Sequence, residues 1–320
     1  MEHDHSISSI HLTSQDLTYN TAATYLICLV LITNSVHFST HNSYVFLSLR
    51  VSDKVEISAM AANLSTISQG LLTGLIVCAS IANFGLFKKA KIEVGFHLYA
   101  ERVDPTTALK MPFNALVNCG YALVGIYWLF KVRKCKRKLS DEDVYFFDVF
   151  SVMSILYAPV QLLRIVTQNR LFAILDQWVT LPIFAWASIW GMYVTKPESN
   201  FGMEIPFLCL SIISYCATIL SDVGFEIALG LNIICAILIA ANCQTKRGTN
   251  ASMKCMLLAI LSCIGFVLLK INDENLGKRH WMFKRISGHF LSKICDVMQI
   301  DLVAQFFFEI CHNRTHRKSK

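Results

Sequence analysis

The sequence contains eight apolar stretches, each close to the length that crosses a membrane. A membrane-spanning helix needs about 20 mostly apolar residues, because the hydrocarbon core is about 30 Å thick and a helical residue rises about 1.5 Å. Backbone polar groups cannot stay unpaired in lipid, so such stretches fold as helices. The eight stretches cover residues 71–87, 111–130, 145–166, 171–194, 205–220, 225–241, 256–271 and 286–310.

The composition agrees with a membrane location. Hydrophobic residues make up 54% of the chain and charged residues 16%, whereas about 25% charged residues is usual in soluble domains. The turns between some stretches are short, which favours antiparallel neighbours. We therefore predict an all-α fold, a polytopic membrane helix bundle in contact with the lipid bilayer.

The two ends of the chain differ from its centre. Residues 1–59 are rich in Ser, Thr, His and Asn and hold one modest apolar run at 23–33, so they are predicted to be a poorly ordered extension. Met60 is a second plausible start, and whether residues 1–59 belong to the mature protein stays open. The predicted bundle covers 60–310, and 311–320 form a basic tail.

Basic residues indicate the orientation. Six of them lie between Lys131 and Lys138, directly after the second apolar stretch. The positive-inside rule places this loop in the cytoplasm, and alternation of the spans then places the tail on the same side.

Two other functional classes are disfavoured by the residue patterns. Seven of the twelve cysteines lie within apolar runs and no CxxC pair occurs, so the cysteines are predicted to pack in helices rather than to form disulfides or zinc knuckles. The net charge of +7 is concentrated in loops and tail without interleaved aromatic residues. Nucleic acid is therefore not a predicted partner.

The last apolar stretch carries an unusual polar stripe. His289, Lys293 and Asp296 are spaced i, i+4, i+7, which places them on one face of a helix. A charge at the bilayer centre costs about 2.5 to 3.5 kcal/mol on insertion scales. The stripe is therefore expected to face protein, where it is a candidate functional surface.

Three other stretches repeat this pattern. Polar residues recur at helical spacing, and together with the stripe they define a predicted polar intramembrane core of Asn114, Asn118, Gln161, Arg164, Asp176, His289, Lys293 and Asp296. A purely structural interpretation stays open, because polar side chains hold membrane helices together by hydrogen bonds. Lys293 and Asp296, at i and i+3, can also neutralise each other locally.

Several strings resemble one family. The stretches 94–101, 111–118, 176–186, 224–230 and 288–297 closely resemble the transmembrane protein 187 family, and the resemblance extends over residues 60–320. It implies a multi-pass endomembrane protein, with the Golgi as the candidate compartment, and it implies no particular molecular activity.

A more distant resemblance concerns alkaline ceramidases and the related progestin and adiponectin receptors, a superfamily of seven-helix hydrolases that bind zinc. The order of Asn114 and Asn118, the string around Asp176, Asp273 and then His289 is similar to the motifs of that superfamily. The resemblance implies a seven-helix core at about 111–310, with the stretch 71–87 as one preceding span.

The departures from that pattern concern the metal ligands. The family's HxxxH corresponds to His289 and Lys293 here, and Arg164 lies where a further ligand is expected. Zinc needs three neutral or anionic protein ligands, and cations repel it. We therefore predict no cofactor and an ion-pair network, in which Asp176 and Asp296 are the counter-ions of Arg164 and Lys293. Zinc, with His289 as its ligand, is the lesser alternative.

Two functions follow. The favoured one is non-catalytic, either binding of a lipid or small ligand at the polar core or scaffolding of protein partners. The alternative is a divergent hydrolase of lipid amides or esters that uses Asp176 and His289. A transporter ranks lower, because no inverted repeat is visible. Ligand identity and oligomeric state stay open.

Overall fold

The computed structural model describes residues 53–106, 109–196 and 204–318. Most of the predicted N-terminal extension, residues 1–52, lies outside the described residues. The described part folds into helices and contains no β-strand. The helices are α1 (Asp53–Asn83), α2 (Pro112–Leu116), α3 (Cys119–Lys134), α4 (Asp141–Thr167), α5 (Arg170–Thr195), α6 (Glu204–Ser214), α7 (Ala217–Leu220), α8 (Gly224–Arg247), α9 (Asn250–Ile271), α10 (Asp273–Arg279) and α11 (Gly288–Lys318).

Six helical segments of the described part are long and apolar enough to cross a membrane. They are Ala62–Asn83 within α1, Pro112–Lys134 across α2 and α3, and the whole of α4, α5, α8 and α9. The prediction of an all-α polytopic membrane helix bundle is therefore confirmed, and the protein is an integral multi-pass membrane protein. Helix α1 begins at Asp53, ahead of Met60.

Two of the eight predicted spans differ from the expectation. The stretch 205–220 is shorter than the six spans and is interrupted between α6 and α7. Helix α11 is 31 residues long but is not among the six, because Lys293, Asp296, Asp301 and Glu309 interrupt its apolar surface. If α2 is joined with α3 and α6 with α7, the described chain after α1 has seven long helical segments.

Local capping chemistry fixes where the helices begin and end. The Ser140 hydroxyl accepts the Asp143 N–H at 3.1 Å, and the Asp143 carboxylate accepts the Ser140 N–H at 3.2 Å, so α4 starts with a capping box. Gln168 adopts a left-handed conformation (φ 49°) after α4, and the Asn169 side chain caps α5. This tight turn makes α4 and α5 antiparallel neighbours.

Close packing of α3 on α4 depends on a small residue. A Cβ atom added to Gly125 would lie 2.5 Å from the Ser151 carbonyl oxygen, so any larger residue would push these helices apart. Small residues at helix contacts are how membrane helices approach closely.

Aromatic rings fill the bundle centre where α3, α4, α5 and α11 meet. Trp190 stacks on Phe307 with ring centroids 4.2 Å apart and meets the edge of Phe147 at 4.4 Å. Phe147 also stacks on Trp128 at 5.6 Å. Helices α8 and α9 instead expose many large apolar side chains, such as Leu238 and Leu261, as expected for surfaces that face lipid.

The bundle has two ends with different contents. The loop end holds residues 84–106, the turn between α4 and α5, α10 and the start of α11. The C-terminal end holds the end of α3, the start of α4 and the last turns of α11.

Candidate functional site

Polar side chains from α2, α3, α4, α5 and α11 meet inside the bundle, in the half nearer the loop end. We call this cluster the polar centre. It contains the residues singled out from the sequence and two tyrosines, namely Asn114, Asn118, Tyr121, Tyr157, Gln161, Arg164, Asp176, His289, Lys293 and Asp296. All of them are buried or half-buried.

On the α4–α5 side, an ion pair is surrounded by hydrogen bonds. The Arg164 guanidinium contacts the Asp176 carboxylate, which also accepts the Tyr157 O–H at 2.8 Å. The Gln161 side-chain N–H donates to the Tyr157 hydroxyl oxygen, and that oxygen lies 2.9 Å from the Thr180 hydroxyl. The tight hairpin brings these residues together, because it aligns the end of α4 with the start of α5.

On the α3–α11 side, a tyrosine holds a carboxylate. The Tyr121 O–H donates to Asp296 at 2.5 Å, and the Lys293 ammonium lies 3.9 Å from the same carboxylate. The Tyr121 and Tyr157 rings meet edge-to-face with centroids 5.0 Å apart, which joins the two sides of the polar centre.

The Lys293 ammonium is enclosed by aromatic rings. It lies 5.8 Å from the Tyr121 centroid and 5.9 Å from the centroids of Tyr157 and Phe266. Its side chain is 5% exposed. No hydrogen bond from this ammonium is found among the described residues, so its three donors are unused.

Two buried carboxylates at the loop end fix helix starts above the polar centre. Glu101 accepts the backbone N–H groups of Phe113 and Asn114, both at 2.9 Å, at the start of α2. Asp273 accepts the backbone N–H of His289 at 2.9 Å, at the start of α11. Burial raises the pKa of the Glu101 carboxyl above its ordinary value, and the nearby Asp273 charge adds to this, although the two backbone hydrogen bonds lower it.

The imidazole of His289 packs against an aromatic ring and makes no hydrogen bond in the described structure. Its ring meets Tyr99 edge-to-face with centroids 4.7 Å apart. In the described part of the chain, no hydrogen bond to either ring nitrogen is found. Tyr99 belongs to the loop that precedes α2, so this loop covers the polar centre at the loop end.

Three side-chain atoms of the polar centre are buried without a hydrogen-bond partner in the described structure. They are Asn114 Nδ2, Asn118 Oδ1 and Gln161 Oε1. Asn114 uses its oxygen to accept the Ser287 hydroxyl at 3.2 Å. Asn118 uses its nitrogen to donate to the Asn114 carbonyl at 2.8 Å. Each amide is therefore anchored through one atom and leaves the other unpaired.

These unpaired groups lie at a similar depth in the bundle. Helices α3 and α11 run in the same direction, with Asn114 beside Ser287 at one level and Tyr121 beside Asp296 at another. Asn118 lies between those levels, in the turn that joins α2 to α3, as Lys293 does on α11. On the antiparallel α4, Gln161 lies one turn from Tyr157 towards the loop end. Since α3, α4 and α11 contact one another pairwise, these groups converge on one region.

The residues considered for a metal or for catalysis do not form a metal-ligand set among the described residues. No three His, Cys, Asp or Glu residues of the described chain lie where they could hold a metal ion. The Asp176 oxygens are engaged by Arg164 and Tyr157, and in the described structure no hydrogen bond or ion pair joins Asp176 to His289. The donor set does not fit zinc, because the cations of Arg164 and Lys293 lie inside the cluster.

Comparison with known proteins concerns most of the chain, including the whole polar centre. Residues 69–308 match the model of the TMEM187 protein family. The chain belongs to the TMEM187 protein family. The family resemblance predicted from the sequence is thereby confirmed, while the likeness to ceramidases stays a hypothesis.

Two relatives in the TMEM187 family are closely similar. The chain is 38% identical to transmembrane protein 187 of Homo sapiens over 243 residues, which cover 75% of this chain and 89% of that protein. It is 39% identical to transmembrane protein 187 of Bos taurus over 239 residues, covering 72% and 91%. No solved structure matches the chain.

Sequence reasoning missed several residues of this family member's polar centre. Tyr121 was not singled out, although it lies three residues after Asn118 and so shares a face with it. Ser287 and Glu101 were not assigned roles either, because they act through partners that are distant in sequence. The spacing along α3 was the only local signal for any of them.

A second charged cluster, which we call the C-terminal lock, lies at the other end. Asp143 pairs with Arg314 at 2.6 Å, and Asp148 pairs with Arg133. Asp301 accepts the Trp128 indole N–H at 2.8 Å. The Lys131 ammonium donates to the side-chain oxygen of Gln305 at 2.6 Å, and the side-chain N–H of Gln305 donates to the Glu309 carboxylate at 2.7 Å. Every charged side chain named here has a partner.

Proposed function

We propose that this protein is a non-catalytic endomembrane protein that binds the polar group of a lipid or small molecule in the polar centre. One observation carries the proposal, namely the convergence of unpaired hydrogen-bonding groups from α2, the turn between α2 and α3, α4 and α11. Asn118 and Gln161 offer carbonyl oxygens, and Lys293 and Asn114 offer N–H donors. A ligand that combines hydroxyl groups with acceptor oxygens complements this set.

The energetic argument compares a filled and an unfilled site. A buried polar group without a partner costs about 1–3 kcal/mol, so the unpaired groups together weaken the bundle. A ligand that pairs with them removes these costs and gains hydrogen bonds in a low-dielectric region. The arrangement therefore suits binding better than it suits a structural network.

The ion pairs have a supporting role in this proposal. Arg164 and Asp176 neutralise each other, and Tyr157 links them to Gln161. Tyr121 in turn holds Asp296. These contacts orient the unpaired amides and satisfy Arg164, Asp176 and Asp296, which is how a binding site is held in a fixed geometry.

The hydrolase alternative has less support. It requires Asp176 and His289 to act on one substrate bond, yet Asp176 is engaged by Arg164 and Tyr157. The His289 ring instead packs on Tyr99. A scaffolding role would use the outer faces of the bundle and would leave the unpaired groups unexplained.

Native mass spectrometry of the detergent-purified full chain tests the proposal. The wild type is expected to retain a bound lipid or small molecule. The double variant Asn118→Leu with Gln161→Leu is expected to lose it, because both carbonyl acceptors are gone. A wild type without any bound molecule, or a double variant that retains it, would contradict the proposal.

A matched control separates lost binding from general damage. Asn232 is a buried amide on α8, where it accepts the Ser211 hydroxyl at 2.7 Å and donates to the Ala228 carbonyl at 2.8 Å. Asn232→Leu removes a buried amide outside the polar centre. This variant is expected to keep the bound molecule.

The endomembrane part of the proposal needs a separate test. The family and the basic loops support membrane integration, and the Golgi is the proposed compartment. Imaging of the tagged full chain beside Golgi and plasma-membrane markers would settle it, and labelling at the cell surface would overturn it.

A further inference from the structure

Two lysine ammonium groups lie around one aromatic ring beside the polar centre. Phe266 is on α9, and the Lys270 ammonium lies 5.4 Å from its ring centroid. The Lys293 ammonium on α11 lies 5.9 Å from the same centroid. Helices α9 and α11 pack extensively against each other, which places both cations near the Phe266 ring.

The two ammonium groups differ in their exposure, and neither has a hydrogen-bonded anion among the described residues. Lys293 is buried and makes no hydrogen bond in the described structure, with its nearest carboxylate oxygen at 3.9 Å. Lys270 is exposed on the bundle surface, and no carboxylate of the described residues lies within ion-pair distance of it. Two cations near one ring, neither with a hydrogen-bonded anion, form an arrangement that an anion would complete.

We propose that Lys270 and Lys293 together bind the phosphate group of a membrane lipid. This inference rests on the proposed function and names the chemical class of its ligand. A lysine ammonium is a compact charge suited to phosphate oxygens. Basic pockets between membrane helices bind lipid headgroups in this way.

The position of Lys270 supports a lipid as the source of the phosphate. Lys270 lies in the last turn of α9, where the side chain of a lysine reaches the membrane interface. Its neighbours Val267, Leu268 and Ile271 are exposed apolar residues, so acyl chains can pack beside them. Lys293 lies deeper, next to the unpaired groups of the polar centre.

The rest of the headgroup has complementary contacts. Hydroxyl groups linked to the phosphate would donate to Asn118 Oδ1 and Gln161 Oε1, which have no other partner in the described chain. Lys270 would hold the phosphate from the membrane side and Lys293 from the inside. The geometry thus accounts for both the cations and the unpaired carbonyl oxygens.

Thermal unfolding of the full chain in detergent tests this inference. Phosphatidic acid is expected to raise the wild-type Tm by about 5 °C or more at saturation, whereas diacylglycerol, which has the same acyl chains and no phosphate, should have little effect. Lys293→Met should abolish the shift. Lys270→Gln should weaken the apparent affinity for phosphatidic acid at least about 10-fold, the loss of one charge-assisted contact.

Controls distinguish site loss from misfolding and lipid from free phosphate. Lys278→Gln changes an exposed lysine of the same end, paired with Glu274, and should respond like the wild type. Lys270→Gln is a surface change that is expected to fold in any case. If inorganic phosphate gives the full shift and Lys293→Met abolishes it, the phosphate site stands and its source is soluble.

Two results would overturn the inference. One is an equal Tm shift with diacylglycerol and phosphatidic acid, and the other is an unchanged response in Lys270→Gln and Lys293→Met. The proposed function would survive either result if the wild type still carries a neutral molecule that the Asn118→Leu, Gln161→Leu double variant loses.

Discussion

The polar centre and the C-terminal lock both bury charges, but they treat them differently. In the lock, the fully buried Asp143 pairs with Arg314 at 2.6 Å and also accepts the Ser140 N–H at 3.2 Å. In the polar centre, Lys293 is almost as buried, yet its nearest carboxylate lies at 3.9 Å and it makes no hydrogen bond among the described residues. One cluster is saturated, and the other has hydrogen-bonding capacity left over.

This difference predicts different roles for the two clusters. A saturated buried ion pair fixes helix positions, and removal of one partner leaves an uncompensated charge. Unsaturated buried groups weaken a fold and are retained where function needs them. The comparison predicts that loss of a charge has opposite effects at the two ends of the bundle.

The largest expected effect is at the lock. Arg314→Met leaves the Asp143 carboxylate buried without its cation, which should lower the free energy of unfolding by about 3–5 kcal/mol. Unfolding in mixed detergent micelles would measure it. Lys278→Met, which breaks an exposed pair with Glu274, is the control and should show no measurable change. If Arg314→Met is as stable as this control, the Asp143–Arg314 pair does not stabilise the fold, and the comparison between the C-terminal lock and the polar centre fails.

A smaller loss of stability is expected at Tyr121, whose hydroxyl group has a hydrogen-bond partner within the polar centre. Tyr121→Phe removes the hydrogen bond to Asp296, and a hydrogen bond to a charged group contributes about 1.5–3 kcal/mol. The same unfolding assay applies. Tyr127→Phe is the matched control, because Tyr127 is exposed, and it should leave stability unchanged. If both variants behave alike, Tyr121 does not hold Asp296.

The decisive contrast is Lys293→Met. In the absence of ligand we expect no loss of stability and a gain of up to about 1 kcal/mol, because a buried ammonium without hydrogen bonds is replaced by an apolar side chain of similar length. The Asp296 carboxylate loses only a cation 3.9 Å away and keeps its hydrogen bond from Tyr121. The sign of the change in the free energy of unfolding is the test. A loss comparable to that of Arg314→Met would show that Lys293 belongs to a second lock rather than to a binding site.

The smallest effect concerns the pH dependence of the cap on α2. Burial raises the pKa of Glu101 above its ordinary value of 4.5, so the folded state binds this proton more tightly than the unfolded state. The resulting stability is present below pH 4.5 and is lost as the pH rises through the raised pKa. Glu101→Gln cannot titrate, so its stability relative to the wild type should increase from pH 4.5 to pH 7. A constant difference in Tm between the two proteins would contradict this.

The sequence by itself determined the helices and their polar faces. Hydrophobic length and helical spacing are local properties, and the cost of a charge in lipid forces residues such as Asp176 and Lys293 towards protein. The family could also be identified from short stretches of sequence. The stretch 205–220 and the stretch of helix α11 were predicted as spans like the others, but neither is among the six candidate spans, because an interrupted or charged helix gives a weaker apolar signal.

Only the tertiary structure decided which polar groups meet. The Tyr121–Asp296 and Asp143–Arg314 contacts join residues 175 and 171 positions apart, and no local pattern encodes such pairs. They depend on the depth at which each helix packs, which is set by close contacts such as Gly125 on α4. The same packing left Asn118, Gln161 and Lys293 partly unpaired. The sequence thus specified polar faces, whereas packing decided which became a lock and which a candidate binding site.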